Sequence, residues 1–424
     1  MEKGDAIKEE RTLRQTAIEM DPTKRYRHEG FGENGQLLIL FGTRDAGEGN
    51  ALKPVYEELA KQGYSLEFFT DGPGAKILCS DNLKVQEISD RNNENSAEPT
   101  LLKDISKIKP TLIVTGFSGS DVTGGGGGID LALTAKGIDA NIPVVWIGDY
   151  PFGGIFQHYR GKIGIPDWIQ PDYLCTPTIA AKENEMEFAP EFNPEHIIVT
   201  GQPAFDALLK EDKEKTKKDI RNKLGLKENE KLIVFMGGSI PEINAKTLEV
   251  FTDGIKKIKL ENYKLVMRRH PKDPADTTFY DAITKGLPIV DSKGWTTDQI
   301  GMTADCVATI DSTEEYKAVI RNIPTVCILI SDILKTCPDI YPEGKEVSIA
   351  TVEDGTTPVI RTKDEAEHIL SQVFNPKFQQ ELQEKRMRWS PGDGNATKRI
   401  INLIADLAHE VAIDPRNPRC TTQK

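Results

Sequence analysis

The sequence predicts an α/β protein made of two tandem Rossmann-like domains with a cleft between them. Three observations predict it. Strand-length apolar runs alternate with amphipathic helical segments from residue 36 onward. The alternation stops in a heavily charged stretch over 209–231 and then starts again. Glycine-rich loops follow the apolar runs, as at 42–50, 116–128 and 237–242, where a strand hands over to a helix.

The elements follow in order. Residues 1–35 are polar and charged and read as an extension, a short helix followed by a linker. The run "QLLILF" is continuous rather than alternating, as expected for a strand buried on both faces of a parallel sheet. "ALKPVYEELAKQG" has helical periodicity and ends at Gly63. "YSLEFFT" (64–70) is a strand, followed by a turn at Gly72-Pro73-Gly74. "TLIVTG" (111–116), "IPVVWIGD" (142–149), "DYLCT" (172–176) and "HIIVTG" (196–201) are further strands, with helices at 129–141 and 180–187. This first domain spans 36–209, and 210–230 reads as a charged linker. The second domain, 231–394, has strands at 232–238, 263–269, 287–291, 306–310 and 324–330. Its helices are expected at 242–258, 275–285, near 297–303 and from Ser312. A closing amphipathic helix over 395–412 and a tail complete 395–424.

The totals bound the function. With 424 residues, 38% apolar and 7% aromatic, the chain has enough for two or three globular cores. A net charge of -12 argues against a general nucleic-acid binder, though not against a local basic pocket. Six scattered cysteines without a CxxC pair read as free core thiols in a reducing compartment. The polar N-terminus has no apolar signal core, and no window approaches 18 apolar residues. A soluble, cytoplasmic protein is expected, with peripheral membrane contact left open.

Ligands of open parallel sheets bind beyond the carboxyl ends of the strands, so the loops there carry the chemistry. "GTRDAGEGN" places Arg44, Asp45 and Glu48 at the start of a helix, whose free N–H groups favour an anion or hydroxyl. It is neither a P-loop nor a clean GxGxxG, and a plain turn is the alternative. The five-glycine loop at 116–128 is either a cover for a ligand or a mobile surface loop. "GDYPFGGIFQHYR" puts Asp149 at a strand end with Tyr150, His158 and Arg160 after it. Asp149 is a candidate general base or a turn cap. "GGSIPE" offers Gly238 and Ser239 before a helix, again an anion site by geometry. "RRHP" ends a strand on Arg268, Arg269 and His270, where strand alternation points one arginine inward. "IDSTEEYKA" has Ser312 and Thr313 as N-cap candidates, with Glu315 spaced for a capping box. No acidic pair stands in a metal position, so no metal cofactor is expected.

These motifs together resemble the GT-B superfamily, in the branch of UDP-N-acetylglucosamine 2-epimerase and related glycosyltransferases. "GTRDAGEGNALKPV" is similar to the epimerase GTR loop and helix, and "VTGQPAFDAL" to the segment ending the first domain. His270-Pro271 and Asp311-Ser312-Thr313 resemble second-domain phosphate motifs shared with sialyltransferases and polyglycerol-phosphate transferases. "GNATKRI" resembles the start of the closing helix, and the likeness runs over 36–412. It implies a nucleotide-sugar-dependent glycosyltransferase of cell-envelope polysaccharide, acting on a glycan or lipid-linked acceptor. Donor binding then falls to Arg44, Gly238, Ser239, Arg269, His270, Ser312, Thr313 and Glu314. Asp45, Glu48 or Asp149 takes the acceptor proton. Two departures stand out: the epimerase "RENTERP" segment is missing, and Lys317 occupies the place of a ribose-binding glutamate. An epimerase or hydrolase, and a non-catalytic binding protein, remain the alternatives.

Overall fold

The computed structural model of the protein describes residues 37–70, 74–79, 83, 85–87, 108, 110–117, 128–150, 153–156, 169–210, 213–270, 273–310, 312–336 and 349–413. The N-terminal extension, most of the glycine loop, His158, Arg160, Pro271 and Asp311 lie outside these residues. The chain divides into two compact units, after Asp206 and again before Asp393.

The first unit is built on seven parallel strands: β1 (Leu38–Thr43), β2 (Ser65–Thr70), β3 (Val85–Glu87), β4 (Leu112–Thr115), β5 (Val144–Ile147), β6 (Tyr173–Thr176) and β7 (Ile197–Val199). Their spatial order is β3-β2-β1-β4-β5-β6-β7. The direction of winding reverses between β1 and β4, which creates the crevice where ligands of such sheets sit. Continuous apolar composition explains the strands, since both faces of the sheet are covered. Ile39 and Phe41 pack on one face with Leu52, Val55 and Leu59 of α1 (Ala46–Lys61). Leu40 and Ile113 pack on the other with Leu133 of α2 (Ile129–Ala140), counting helices of more than six residues. Trp146 is buried there and its Nε1 donates to Thr134 at 2.9 Å, so its one polar atom is satisfied. α3 (Ile179–Phe188) follows β6.

The second unit has five parallel strands, β8 (Lys231–Met236), β9 (Tyr263–Arg268), β10 (Cys306–Thr309), β11 (Thr325–Ile328) and β12 (Val359–Ile360), in the order β12-β11-β10-β8-β9. The expected strand at 287–291 reduces to one parallel bridge between Ile289 and Leu265. Pro288 has no N–H to give and Ile289 is 43% exposed, so little favours longer pairing. That bridge still occupies the place of a third strand, so this sheet also reverses its winding, between β8 and β10. The helix expected over 275–285 is a 3-10 turn, Thr277–Tyr280, followed by the single turn Asp281–Thr284.

The charged stretch after the first unit folds as α4 (Lys213–Lys223). Lys217 and Arg221 bind Asp305 at 3.0 and 2.7 Å, and Asp305 accepts the Leu232 amide at 2.8 Å. Charge in this segment thus anchors the helix at the start of β8 and β10. The helices α5 (Pro241–Lys257), α6 (Thr297–Thr303), α7 (Thr313–Ile320), α8 (Ala366–Val373) and α9 (Pro376–Trp389) complete this unit.

The last helix, α10 (Ala396–Ile413), belongs to the first unit. Ile400, Ile401, Ile404 and Leu407 enter the same core as Phe41 and Val114. Asp206 caps it from across the sequence, accepting the amides of Ala396 at 3.0 Å and Thr397 at 2.7 Å. Arg399 donates to the Thr200 carbonyl at 3.1 Å. The segments "VTGQPAFDAL" and "GNATKRI" therefore meet. Asp206→Ala is expected to destabilise the protein by about 1–2 kcal/mol through loss of this cap, read by urea unfolding. A change within a few tenths would show that the helix start finds other partners.

Candidate active site

The carboxyl ends of β1, β4 and β5 gather acidic side chains. The chain leaves β1 through Arg44 and Asp45 and enters α1, where Glu48 is fully buried. Glu48 Oε2 accepts from the Thr43 hydroxyl at 2.8 Å and from the amides of Arg44 and Asp45 at 3.1 and 3.2 Å. The contact to Asp45 is the reaching-back half of a capping box. Glu48 Oε1 is buried and has no hydrogen-bond partner among the described residues. The side chain lies on the end of β4, where a Cβ on Gly116 would come within 2.6 Å of it.

Asp149, half-buried, follows β5, and its carboxyl rests on Gly47, where any Cβ would collide with it. Gln202 Nε2 donates to the Asp149 carbonyl at 2.8 Å and fixes the backbone there. Asp130, in the first turn of α2 and only 2% exposed, lies against Gly128, with Arg44 Cδ on the same glycine. Three glycines thus make room for three carboxyl groups. The structure brings Arg44, Asp45, Glu48 and Asp149 together and adds Asp130. A lone acid in a first helical turn reads as an ordinary dipole partner, which is why the sequence hides it.

This crowding decides protonation. Burial holds Glu48 well above the usual carboxylate range; Asp130 and Asp149 push it further, against the Arg44 amide and the Thr43 hydroxyl. Asp149 is raised to about 6, first by burial and further by Asp45, against hydrogen bonds from its own amide and that of Tyr150. A carboxyl titrating there exchanges protons near neutral pH.

In the second unit the loop Gly237-Gly238-Ser239 joins β8 to α5. Fully buried Asn244 grips it, accepting from the Gly238 amide at 2.7 Å and donating to the Gly238 carbonyl at 2.8 Å. Its Nδ2 also lies 3.2 Å from Asp273 Oδ2, which receives the Tyr280 hydroxyl at 2.7 Å. One polar network therefore ties the loops after β8 and β9. Asn244, Asp273 and Tyr280 were not among the sequence candidates; a polar residue among Ile243, Thr247 and Leu248 was the available signal.

The paired arginines separate. Arg268 donates to Ser292 Oγ at 3.2 Å and Thr297 Oγ1 at 3.3 Å, within the scaffold. Arg269 is exposed and donates to the Ala275 carbonyl; His270 and Ser239 are exposed as well. Ser312 caps α7 by accepting the Glu314 amide at 3.2 Å. The expected capping box with Glu315 does not form. Glu315 is fully buried and accepts the Thr351 hydroxyl instead, because its position on α7 faces the core. Lys317 pairs with Glu314 at 2.7 Å and with Asp298 at 2.9 Å. The side chain of Thr313 lies outside the described residues. Among the described residues no three His, Cys, Asp or Glu side chains group as metal ligands, and no helix is long and apolar enough to cross a membrane.

Residues 170–286 match the family model of CDP-glycerol:poly(glycerophosphate) glycerophosphotransferase. No curated protein matches the chain at a significant level. A UDP-GlcNAc 2-epimerase from Neisseria meningitidis, solved with UDP-GlcNAc, superposes with a TM-score of 0.56 at 14% identity, covering 87% of this chain and all 100% of that one. MurG from Acinetobacter baumannii gives 0.54 at 14% identity over 87% and 99% of the two chains. The wall teichoic acid polymerase TagF, soaked with CDPG, gives 0.52 at 16% identity over 95% and 98%. The fold is GT-B, as the motifs implied.

Asp149→Asn is expected to stabilise the protein at pH 8. The folded state holds the Asp149 proton up to about pH 6, whereas the unfolded chain releases it near 3.8, so stability falls as pH rises between these values and is level above. The gain is on the order of 1 kcal/mol after solvent screening. Thermal melting at pH 4 and pH 8 reads it: a larger gain at pH 4 than at pH 8 contradicts the assignment.

Proposed function

We propose that the protein transfers a sugar from a nucleoside-diphosphate-linked donor to an acceptor hydroxyl. The observation that carries this is the acid cluster at the ends of β1, β4 and β5, where the Asp149 carboxyl rests on bare Gly47 and burial raises it to about 6. Asp149 accepts the acceptor proton while the acceptor oxygen bonds to the anomeric carbon of the donor. The bond from that carbon to the diphosphate breaks, and the nucleoside diphosphate leaves with the electron pair.

The developing negative charge needs fixed donors and cations. These fall to the second unit: the amide of Ser239, in the loop whose Gly238 amide is already held by Asn244, the side chains of Arg269 and His270, and the start of α7 at Ser312 and Thr313. Glu314 is the acid left for a donor hydroxyl, since Glu315 is buried. A glycan or lipid-linked alcohol of the cell envelope fits the acceptor role.

One observation favours a second reading. The family match over 170–286 includes both the Gly238 loop and the Arg269-His270 loop. In glycerophosphoryl transfer the acceptor oxygen attacks phosphorus, the bond between the two donor phosphates breaks, and a nucleoside monophosphate leaves. Epimerisation, in turn, consumes no acceptor. The released nucleotide and the need for acceptor distinguish the three.

Melting against UDP, GDP, CMP, CDP and dTDP tests donor binding. A ligand at about 100 times its Kd is expected to stabilise by roughly 2.7 kcal/mol. With the donor so identified, Asp149→Asn is expected to lower kcat by about 10²–10⁴-fold. No shift with any nucleotide overturns the donor assignment and leaves a binding scaffold.

A further inference from the structure

We infer that Glu48 serves as a neutral acid, with its Oε2 accepting from the protein and its Oε1–H offered to an oxygen atom of the substrate. This rests on the group-transfer function above and divides the labour within that site: Asp149 takes the acceptor proton, and Glu48 keeps its own.

Three donors converge on Oε2, from Thr43, Arg44 and Asp45. An oxygen so occupied is the carbonyl-like one, and a proton on the group belongs on Oε1. The groups facing Glu48 are Arg44 and Asp45 from its own loop, Asp130 from α2 and Asp149 from the end of β5. Three of these four are acids. A full charge on a side chain withdrawn from water beside other acids is costly, whereas a neutral carboxyl avoids that cost. The upward displacement of the Glu48 titration agrees with this.

Oε1 is the second, independent observation. It is buried, belongs to a side chain with 0% exposure, and has no hydrogen-bond partner among the described residues. A buried polar atom without a partner is destabilising and calls for an explanation, a catalytic role among them; for a protonated Oε1 the missing partner is an acceptor. The geometry points to a substrate oxygen, a hydroxyl or carbonyl, as that acceptor. Two carboxyls set apart by their surroundings then play donor and base, the usual way one site runs both kinds of chemistry.

Glu48→Gln and Glu48→Leu test this in the full chain. Glutamine keeps the accepting oxygen and places an N–H donor where Oε1–H stood. Leucine is expected to lose about 10²-fold in kcat/KM, and glutamine to recover most of that loss, since it keeps a donor. The acid limb of the pH profile near 6 is expected to persist in Glu48→Gln and to vanish in Asp149→Asn. A Glu48→Gln variant as inactive as Asp149→Asn, while still folded and binding the donor nucleotide, overturns the inference. Infrared difference spectra of wild type against Glu48→Gln, free of substrate at pH 7, give a readout independent of activity. A protonated carboxyl band that disappears in the variant is expected; a carboxylate band there overturns the inference. Failure of the donor assignment would appear in the nucleotide melts and leave the infrared result standing.

Discussion

Bare backbone at three glycines is the constraint on which the first unit's rim depends. Glu48, Asp130 and Asp149 lie against Gly116, Gly128 and Gly47, where any side chain would meet a carboxyl group. Without that close approach the acids would stand in solvent and titrate like ordinary carboxylates. The parallel sheet supplies the rest, because it ends β1, β4 and β5 side by side at the reversal of its winding. Position comes from topology, and reactivity from the missing Cβ atoms.

The second unit solves a different problem with the same sheet. Its rim carries the exposed Arg269 and His270, where the first gathers carboxyl groups. Rigidity there comes from Asn244, which holds Gly238 by both of its backbone groups and reaches Asp273. A loop of two glycines and a serine would otherwise sample many conformations, and fixing it beforehand lowers the entropy lost on binding an anion. Lys317 works on α7, pairing with both Glu314 and Asp298 and so offsetting part of their charge near the start of that helix.

Much of the fold was legible because two-face burial writes continuous apolar strands. β1, β4, β5, β8, β10 and β11 are such runs. The candidate acids Asp45, Glu48 and Asp149 were legible as strand-end residues, but nothing local announces that Glu48 is buried while Asp45 is not. That difference is made by Gly116 on another strand. Asp130 and Asn244 were hidden for the converse reason: each sits within a helical pattern that explains it without tertiary contacts. Glu315 misled because an acid three residues after a serine is the mark of a capping box, and only the folded core shows that it faces inward. The segment 287–291 misled because its composition suits a strand while Pro288 and an exposed edge limit pairing.

The return of α10 to the first unit bears on the order of assembly. The second unit is a continuous stretch inserted within the first, so all its strands are made before the first unit's last helix. Ile400, Ile404 and Leu407 lie in the core around Phe41, and that core stays open along one flank until synthesis reaches them. A chain growing from its N-terminus usually closes its domains in sequence. Here the chain of the middle unit is complete before the unit begun earliest can be sealed, by an aspartate that stands 190 positions ahead of the amide it caps.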